Sequence, residues 1–283
     1  MSVVIAGCGD LGTEAALRFA AMGHRTIGLR RTAEKLPREI EGQSVDLSVE
    51  VPTLPADTTI VVIALSPDER SVDGYRKVYV DSVRNMVAAI HQHCTAQPRV
   101  LFVSSTAVYG VDDGSWVDAS TPTNPGMPTA VTLREGEDAL LEQIPDATLL
   151  RLGGIYGPGR TREVDRVRAG INEVSSTPRF TNRIHRDDAA GAIVHLTTMQ
   201  EAPHTVYIGV DDRPTDHHEV IEYLAERLGV KTPPIVTDPG RTREQRGKRC
   251  RNTALRESGF VFSYPTYREG YAAVLEGKGV RHP

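Results

Sequence analysis

A chain of 283 residues, 39% hydrophobic and 25% charged, can bury a sizeable core as one large or two small domains. Its formal charge of −4 argues against nucleic acid as a partner, and no run approaches the roughly 18 consecutive apolar residues of a membrane span. Cys8, Cys94 and Cys250 are odd in number with no metal-ligand spacing, and Met1 to Val3 opens no basic-then-apolar leader; a cytoplasmic setting and no bound metal are expected.

Ser2 to Ala6 reads as a short buried strand, with Val3, Val4 and Ile5 bounded by glycine. Gly7, Gly9 and Gly12 follow in G-x-G-x-x-G spacing and lead into an amphipathic helix carrying Leu11, Ala15, Leu17, Phe19 and Met22. The first glycine permits a tight turn, the second lets backbone approach a pyrophosphate, and the third allows close helix–strand packing. Asp10 and Leu11 stand at the helix N-terminus, whose unpaired N–H groups suit phosphate. A turn that binds nothing is the alternative; strand, turn and helix in sequence favour a dinucleotide.

Arg25 to Leu29 is a second strand, ending on Arg30 and Arg31. An acidic residue there would hold a ribose 2′-hydroxyl, whereas guanidinium groups suit a 2′-phosphate. NADP(H) is therefore expected ahead of NAD(H), against the alternative of a solvated basic pair. A short strand near 43–47 puts Asp46 and Leu47 at the adenine rim by position alone. Thr59 to Leu65 is the clearest buried strand, and Leu65 and Ser66 lead into a loop at the sheet's carboxyl edge, where ligands lie in open α/β sheets.

Helical spacing resumes over 73–94, then Val100 to Val103 forms a strand running into Ser104–Gly110. Residues 111–128, rich in Asp, Ser, Thr, Pro and Gly, read as a long surface loop of the kind that forms lids. A helix over 129–143 and a strand over 147–152 follow, ending in Gly153–Arg160. Beyond lie helical stretches near 163–174, 186–199 and 216–228, a strand at 205–210 and a final helix over 267–275. The pattern predicts an α/β fold: a Rossmann-like doubly wound parallel sheet over 1–160 and a smaller, mostly helical substrate lobe over 161–283, with some later segments returning to the sheet.

The glycine turn, Ser104–Gly110, Arg151–Arg160 and Asn182–Asp188 together resemble the extended short-chain dehydrogenase/reductase superfamily, in its NAD-dependent epimerase/dehydratase branch. Ser258–Phe260 and Tyr267–Gly270 resemble its last turns, so the likeness spans nearly the whole chain. It implies a nicotinamide dinucleotide and a small-molecule substrate reacting at a carbonyl or hydroxyl carbon, by reduction, epimerisation or dehydration. It also implies a Ser or Thr acting with Tyr-x-x-x-Lys, and here the chain departs. Ser105 matches the first, but register from Glu137 puts Thr129 and Leu133 where tyrosine and lysine belong. Threonine donates no proton near neutral pH and leucine lowers no pKa. Arg134 lies one residue on, about 100° round the helix. Ala6 stands for the first glycine of the superfamily's G-x-x-G-x-x-G.

The resemblance is thus to an atypical member. Substitute groups are Ser105 and Thr106 as donors to a substrate oxygen, Tyr109 as a replacement phenol and His185 as an imidazole acid. Against these, Tyr109 would merely pack beside the nicotinamide and His185 would cap or pair with Asp187. Gly157 and Arg160 are expected to border nicotinamide and substrate. Arg241, Arg243, Arg246, Lys248, Arg249, Arg251 and Arg256 form either a solvated basic loop or, through Arg249, a clamp for an anionic, nucleotide-linked or phosphorylated substrate. A non-catalytic NADP-binding sensor or scaffold is the second functional reading. Family members often pair through the helices at 73–94 and 129–143, which would make an isologous homodimer.

Overall fold

The structure, a computed structural model, describes residues 1–170, 173–201, 203–236 and 246–283. Its strands are β1 (Ser2–Ala6), β2 (Arg25–Arg30), β3 (Glu41–Ser44), β4 (Thr58–Ile63), β5 (Arg99–Ser105), β6 (Trp116–Val117), β7 (Thr148–Leu152) and β8 (Gly154–Tyr156). There follow β9 (Val174–Ser175), β10 (Arg179–Thr181), β11 (Arg183–His185), β12 (Val206–Gly209), β13 (Thr215–Asp216), β14 (Ile235–Val236), β15 (Arg246–Gly247) and β16 (Arg249–Cys250). The helices are α1 (Asp10–Ala21), α2 (Val72–Arg76), α3 (Ser82–His93), α4 (Pro128–Gln143), α5 (Arg162–Arg168), α6 (Arg186–Thr198), α7 (His217–Leu228), α8 (Thr253–Glu257) and α9 (Tyr267–Leu275).

Seven strands form one parallel sheet in the order β12-β7-β5-β4-β1-β2-β3. Succession along the sheet reverses between β1 and β4, which opens a crevice at their carboxyl ends. Side chains of each strand alternate between two cores. Val4, Val61, Phe102 and Leu149 pack with Val83, Met86, Leu133 and Leu140 on one face. Ile5, Val62, Leu101 and Leu150 pack with Ala15, Phe19, Ile193 and Leu196 on the other. A third core, built from Tyr156, Val164, Val220, Leu224, Tyr267 and Tyr271, sits in the lobe.

Local chemistry sets the helix ends. Helix α1 takes Gly9 as its N-cap and Asp10 in its first turn, and stops at Gly23 with φ of 88°. Proline starts α4, Gly229 in the left-handed region ends α7, and a Thr266–Glu269 capping box starts α9. No described helix is long and apolar enough to cross a membrane.

Three expectations shift. Strand β3 lies at 41–44 rather than 43–47. The helix expected over 73–94 is two α segments joined through a π-turn at Lys77–Asp81. Beyond residue 160, α6 packs against α1, and β12 pairs with β7 as the sheet's outer strand, a later segment that returns to the sheet as the pattern allowed. The 111–128 loop is no free lid, because β6 pairs with β16 and the Gly114 N–H donates to the Gly247 carbonyl at 2.7 Å. A segment some 130 residues downstream pins it, which no local pattern announces.

Candidate functional site

The glycine turn leaves β1 at the crevice. Gly7 has φ of 88°, and a Cβ there would sit 2.6 Å from the Ala64 carbonyl oxygen. A Cβ on Gly12 would meet the Gly7 carbonyl oxygen at 2.5 Å. Both positions therefore require glycine. Gly9 differs: its φ is −87°, and a Cβ there would meet nothing within 4 Å. Helix α1 begins with no side-chain cap, so N–H groups of its first turn stand beside an open space of the kind a pyrophosphate needs. These residues fit a dinucleotide. Leu65 lies half-buried beside Gly7 and Ser66 is exposed at the rim. Leu47 is buried, and Asp46 turns to the Ser48 hydroxyl at 2.7 Å, which holds its carboxyl below the usual range.

The basic groups at this rim are engaged. Arg31 reaches Asp68 at 2.7 Å, an exposed pair of small energetic weight. Arg30 donates to the Cys8 carbonyl at 3.2 Å and to the Pro283 carbonyl at 2.9 Å. The Asp10 carboxylate takes Arg160 Nε at 2.6 Å and Arg186 Nη1 at 2.9 Å. The turn through Gly157 (φ 145°) and Gly159 (φ 65°) folds Arg160 onto the start of α1. Burial pushes the Cys8 thiol up to about 11, leaving it a small packing residue.

At the end of β5, adjacent serines face opposite surroundings, as strand alternation requires. Ser104 donates to the buried Glu137 at 2.5 Å, whereas the half-buried Ser105 accepts from the Ala107 N–H at 3.2 Å. Glu137 is clasped by Arg151 through Nε at 2.9 Å and Nη2 at 2.6 Å, and Arg151 Nη1 donates to the Tyr109 hydroxyl at 2.9 Å. Tyr109 is 1% exposed, and burial raises its pKa. Its hydroxyl oxygen is thus tied into the buried network, the packing alternative that the sequence left beside a role as acid. Thr106 is also buried, in the short turn after β5, and Leu133 lies in the core. The sequence reading missed this network, although a charged Arg151 inside a buried strand was its visible sign.

His185 takes the capping place that the sequence left as its alternative to an imidazole acid. Its ring is buried against Tyr264, at 4.0 Å between centroids, and Nδ1 accepts the Asp187 N–H at 3.2 Å as the N-cap of α6. Burial pushes its pKa down to about 4, opposed by the Asp187 carboxylate and aided by Arg186 and Arg18. An imidazole neutral above that pH is no acid near neutrality. The folded pKa lies below the unfolded one, so the unfolded chain binds more protons between about pH 4 and 6.5 and stability falls on acidification through that window. His185→Gln is expected to flatten this part of the unfolding free energy against pH, measured by urea titration. An unchanged slope would show a solvated imidazole.

A cavity of about 740 Å³ opens between β5 and the lobe, lined by Ala107, Tyr109 and Met127 on one side and by Arg179, Arg246 and Lys248 on the other. His217 and His218, at the start of α7, and the carboxylates Asp112 and Asp216 complete the lining. Lys248 Nζ donates to the Tyr109 carbonyl at 2.8 Å, and desolvation lowers its pKa. None of Gly157, Arg160 and Arg249 lines this cavity. Arg249 instead stacks on Phe180 at 4.5 Å and donates to the Gly114 carbonyl at 2.6 Å, whereas its neighbour Lys248 is among the lining residues. Among the described basic residues of that stretch, Arg246 pairs with Asp112, Arg251 stacks on Trp116 and Arg256 pairs with Asp212. It is thus no solvated loop; Arg241 and Arg243 lie outside the described residues.

Residues 3–209 match the model of the NAD dependent epimerase/dehydratase family. Among solved structures, the chain is 32% identical to a putative NAD-dependent epimerase/dehydratase from Methylobacillus flagellatus, over 97% of each chain with a TM-score of 0.78. A functionally unknown conserved protein from Silicibacter pomeroyi DSS is 27% identical over 97% of this chain and 98% of that one, also with a TM-score of 0.78. UDP-glucuronic acid 4-epimerase from Bacillus cereus, in complex with NAD, shares the fold with a TM-score of 0.78 over 98% of each chain at 14% identity. No curated protein matches.

Proposed function

The chain belongs to the NAD dependent epimerase/dehydratase family, and from that premise we propose that it is an NADP(H)-using enzyme acting at a carbonyl or hydroxyl carbon of an anionic, nucleotide-linked or phosphorylated substrate. The observation that carries this reading is the cavity whose wall of Arg179, Arg246 and Lys248 opens beside the end of β5. Guanidinium and ammonium groups in a partly desolvated cleft suit phosphate oxygens. A fold hosts many chemistries, so the substrate class rests on this charge and not on the UDP-sugar named for the Bacillus cereus protein.

The first turn of α1 and the space beside Gly9 would hold the pyrophosphate, Arg30 the 2′-phosphate, and the Asp46–Leu47 edge the adenine. When bound, the dinucleotide supplies reversible two-electron chemistry at its nicotinamide ring. Ser105 Oγ would donate to the substrate oxygen. The Lys248 ammonium, held to the Tyr109 carbonyl by one N–H, keeps two for a substrate oxygen. Its lowered pKa eases proton release at Nζ, so it would supply the charge and proton that Leu133 and Thr129 cannot. The outer faces of α3 and α4 would pair two copies.

Titration with NADPH and NADH, followed by absorbance screening of carbonyl compounds and nucleotide sugars, tests the reading. Ser105→Ala and Lys248→Met are each expected to cut kcat by about 10²-fold or more, with NADPH affinity unchanged. Turnover indifferent to both would remove these roles. Arg30→Asp should weaken NADPH about tenfold or more relative to NADH, since one charge-assisted contact becomes a repulsion; equal loss for both nucleotides would count against a 2′-phosphate contact. A second reading, the NADP-binding sensor, is favoured by Thr129 and by the buried Leu133. Tight NADPH binding with no turnover on a broad panel would select it.

A further inference from the structure

Residues 279–283 pass along the rim of the glycine turn as a strap held almost wholly by polar contacts. Arg186 Nη2 donates to the Val280 carbonyl at 2.7 Å, and Arg281 donates to the Gly159 carbonyl at 3.0 Å. The His282 N–H donates to Asp10 at 3.1 Å while its ring meets Glu14 at 2.8 Å. Arg30 Nη1 donates to the Pro283 oxygen at 2.9 Å. None of its side chains is fully buried, and Val280 is 70% exposed. A segment with no buried apolar anchor is displaceable at small cost to the fold.

The strap flanks the phosphate cradle without filling it, because the space beside Gly9 stays open with the strap in place. What it takes is Nη1 of Arg30, which donates to the Cys8 and Pro283 oxygens. A 2′-phosphate carries close to two negative charges and can meet the guanidinium bidentately, so it can displace Pro283, but engaging Nη1 must first break that contact. A nucleotide without the 2′-phosphate has no need of Arg30 and leaves the strap in place.

We propose that the strap at 279–283 sets the choice between NADPH and NADH by competing with the 2′-phosphate for Arg30, an inference that rests on the cofactor reading above. The strap taxes NADPH alone, so it narrows a preference that Arg30 by itself would make wide.

The test is a double substitution, Arg281→Ala with His282→Ala, which removes two side-chain anchors from the exposed strap. Calorimetric titration of the parent chain and the variant with NADPH and with NADH is expected to show NADPH binding tightened about three- to tenfold, the scale of one exchanged hydrogen bond. NADH binding should stay within about twofold. Adding Arg30→Ala should cancel the gain, because the coupling runs through that side chain. An unmoved NADPH-to-NADH ratio, equal weakening of both, or selective weakening of NADPH would each overturn the proposal. A parent chain that binds neither nucleotide would instead overturn the cofactor reading itself.

Discussion

Gly9→Val is expected to fold like the parent chain and to bind NADPH and NADH at least tenfold more weakly. The two halves of this outcome come from one observation. A Cβ at Gly9 meets no protein atom within 4 Å, and the residue's φ of −87° and ψ of −158° are open to a β-branched side chain. Stability should therefore stay within about 0.5 kcal/mol, as for substitutions away from packed or strained positions. The isopropyl group would stand in the space that the pyrophosphate needs next to the first turn of α1. Gly12→Val is the contrasting control: its Cβ would lie 2.5 Å from the Gly7 carbonyl oxygen, so both folding and binding should suffer. Isothermal titration beside urea unfolding reads the two effects separately. Unchanged nucleotide affinity in Gly9→Val would remove the glycine turn as the dinucleotide site.

Arg151→Ala should cost about 3–5 kcal/mol of stability, the range for stranding one partner of a buried ion pair. Glu137 is 0% exposed and draws on Arg151, Ser104 and the edge of Arg134 for its hydrogen bonds. Without Arg151 its carboxylate keeps Ser104 but loses both strong charged donors, and Tyr109 loses its hydroxyl partner. Replacing the pair together, as Glu137→Gln with Arg151→Met, should recover most of the loss, since no uncompensated charge is left and the amide still accepts from Ser104. Urea unfolding of the three variants decides the matter. A loss below about 1 kcal/mol for Arg151→Ala would mean that water reaches the pair, and that the network does not hold β5, β7 and α4 together.

The parts of the molecule legible in the chain are those whose signal is local. Val3, Val4 and Ile5 followed by three spaced glycines give strand, turn and helix within a dozen residues, and the structure builds them there. The alternating helices and strands likewise give the parallel sheet, because a buried strand and an amphipathic helix each declare themselves by periodicity. The resemblance that singles out Ser105 leads equally to the expectation of Thr129 and Leu133 where tyrosine and lysine belong, and Leu133 lies in the core. For His185 the sequence left acid and cap both open, since only the start of α6 at Arg186 commits its Nδ1 to a backbone N–H.

The cavity wall was illegible for a different reason. The basic stretch near residue 250 is plain in sequence, yet which of its cations faces the cleft depends on how β16 pairs with β6, more than 130 residues earlier. That pairing turns Arg249 onto Phe180 and leaves its neighbour Lys248 on the Tyr109 carbonyl, because successive residues of an extended chain point to opposite sides. Arg160 and the strap at 279–283 reach the glycine turn from distant parts of the chain by the same kind of long-range closure. The sequence by itself determined the sheet and the glycine turn, both carried by spacing along a few turns or strands. Only the tertiary structure decided which charged groups meet, because contact between side chains far apart in sequence is set by packing and register rather than by composition.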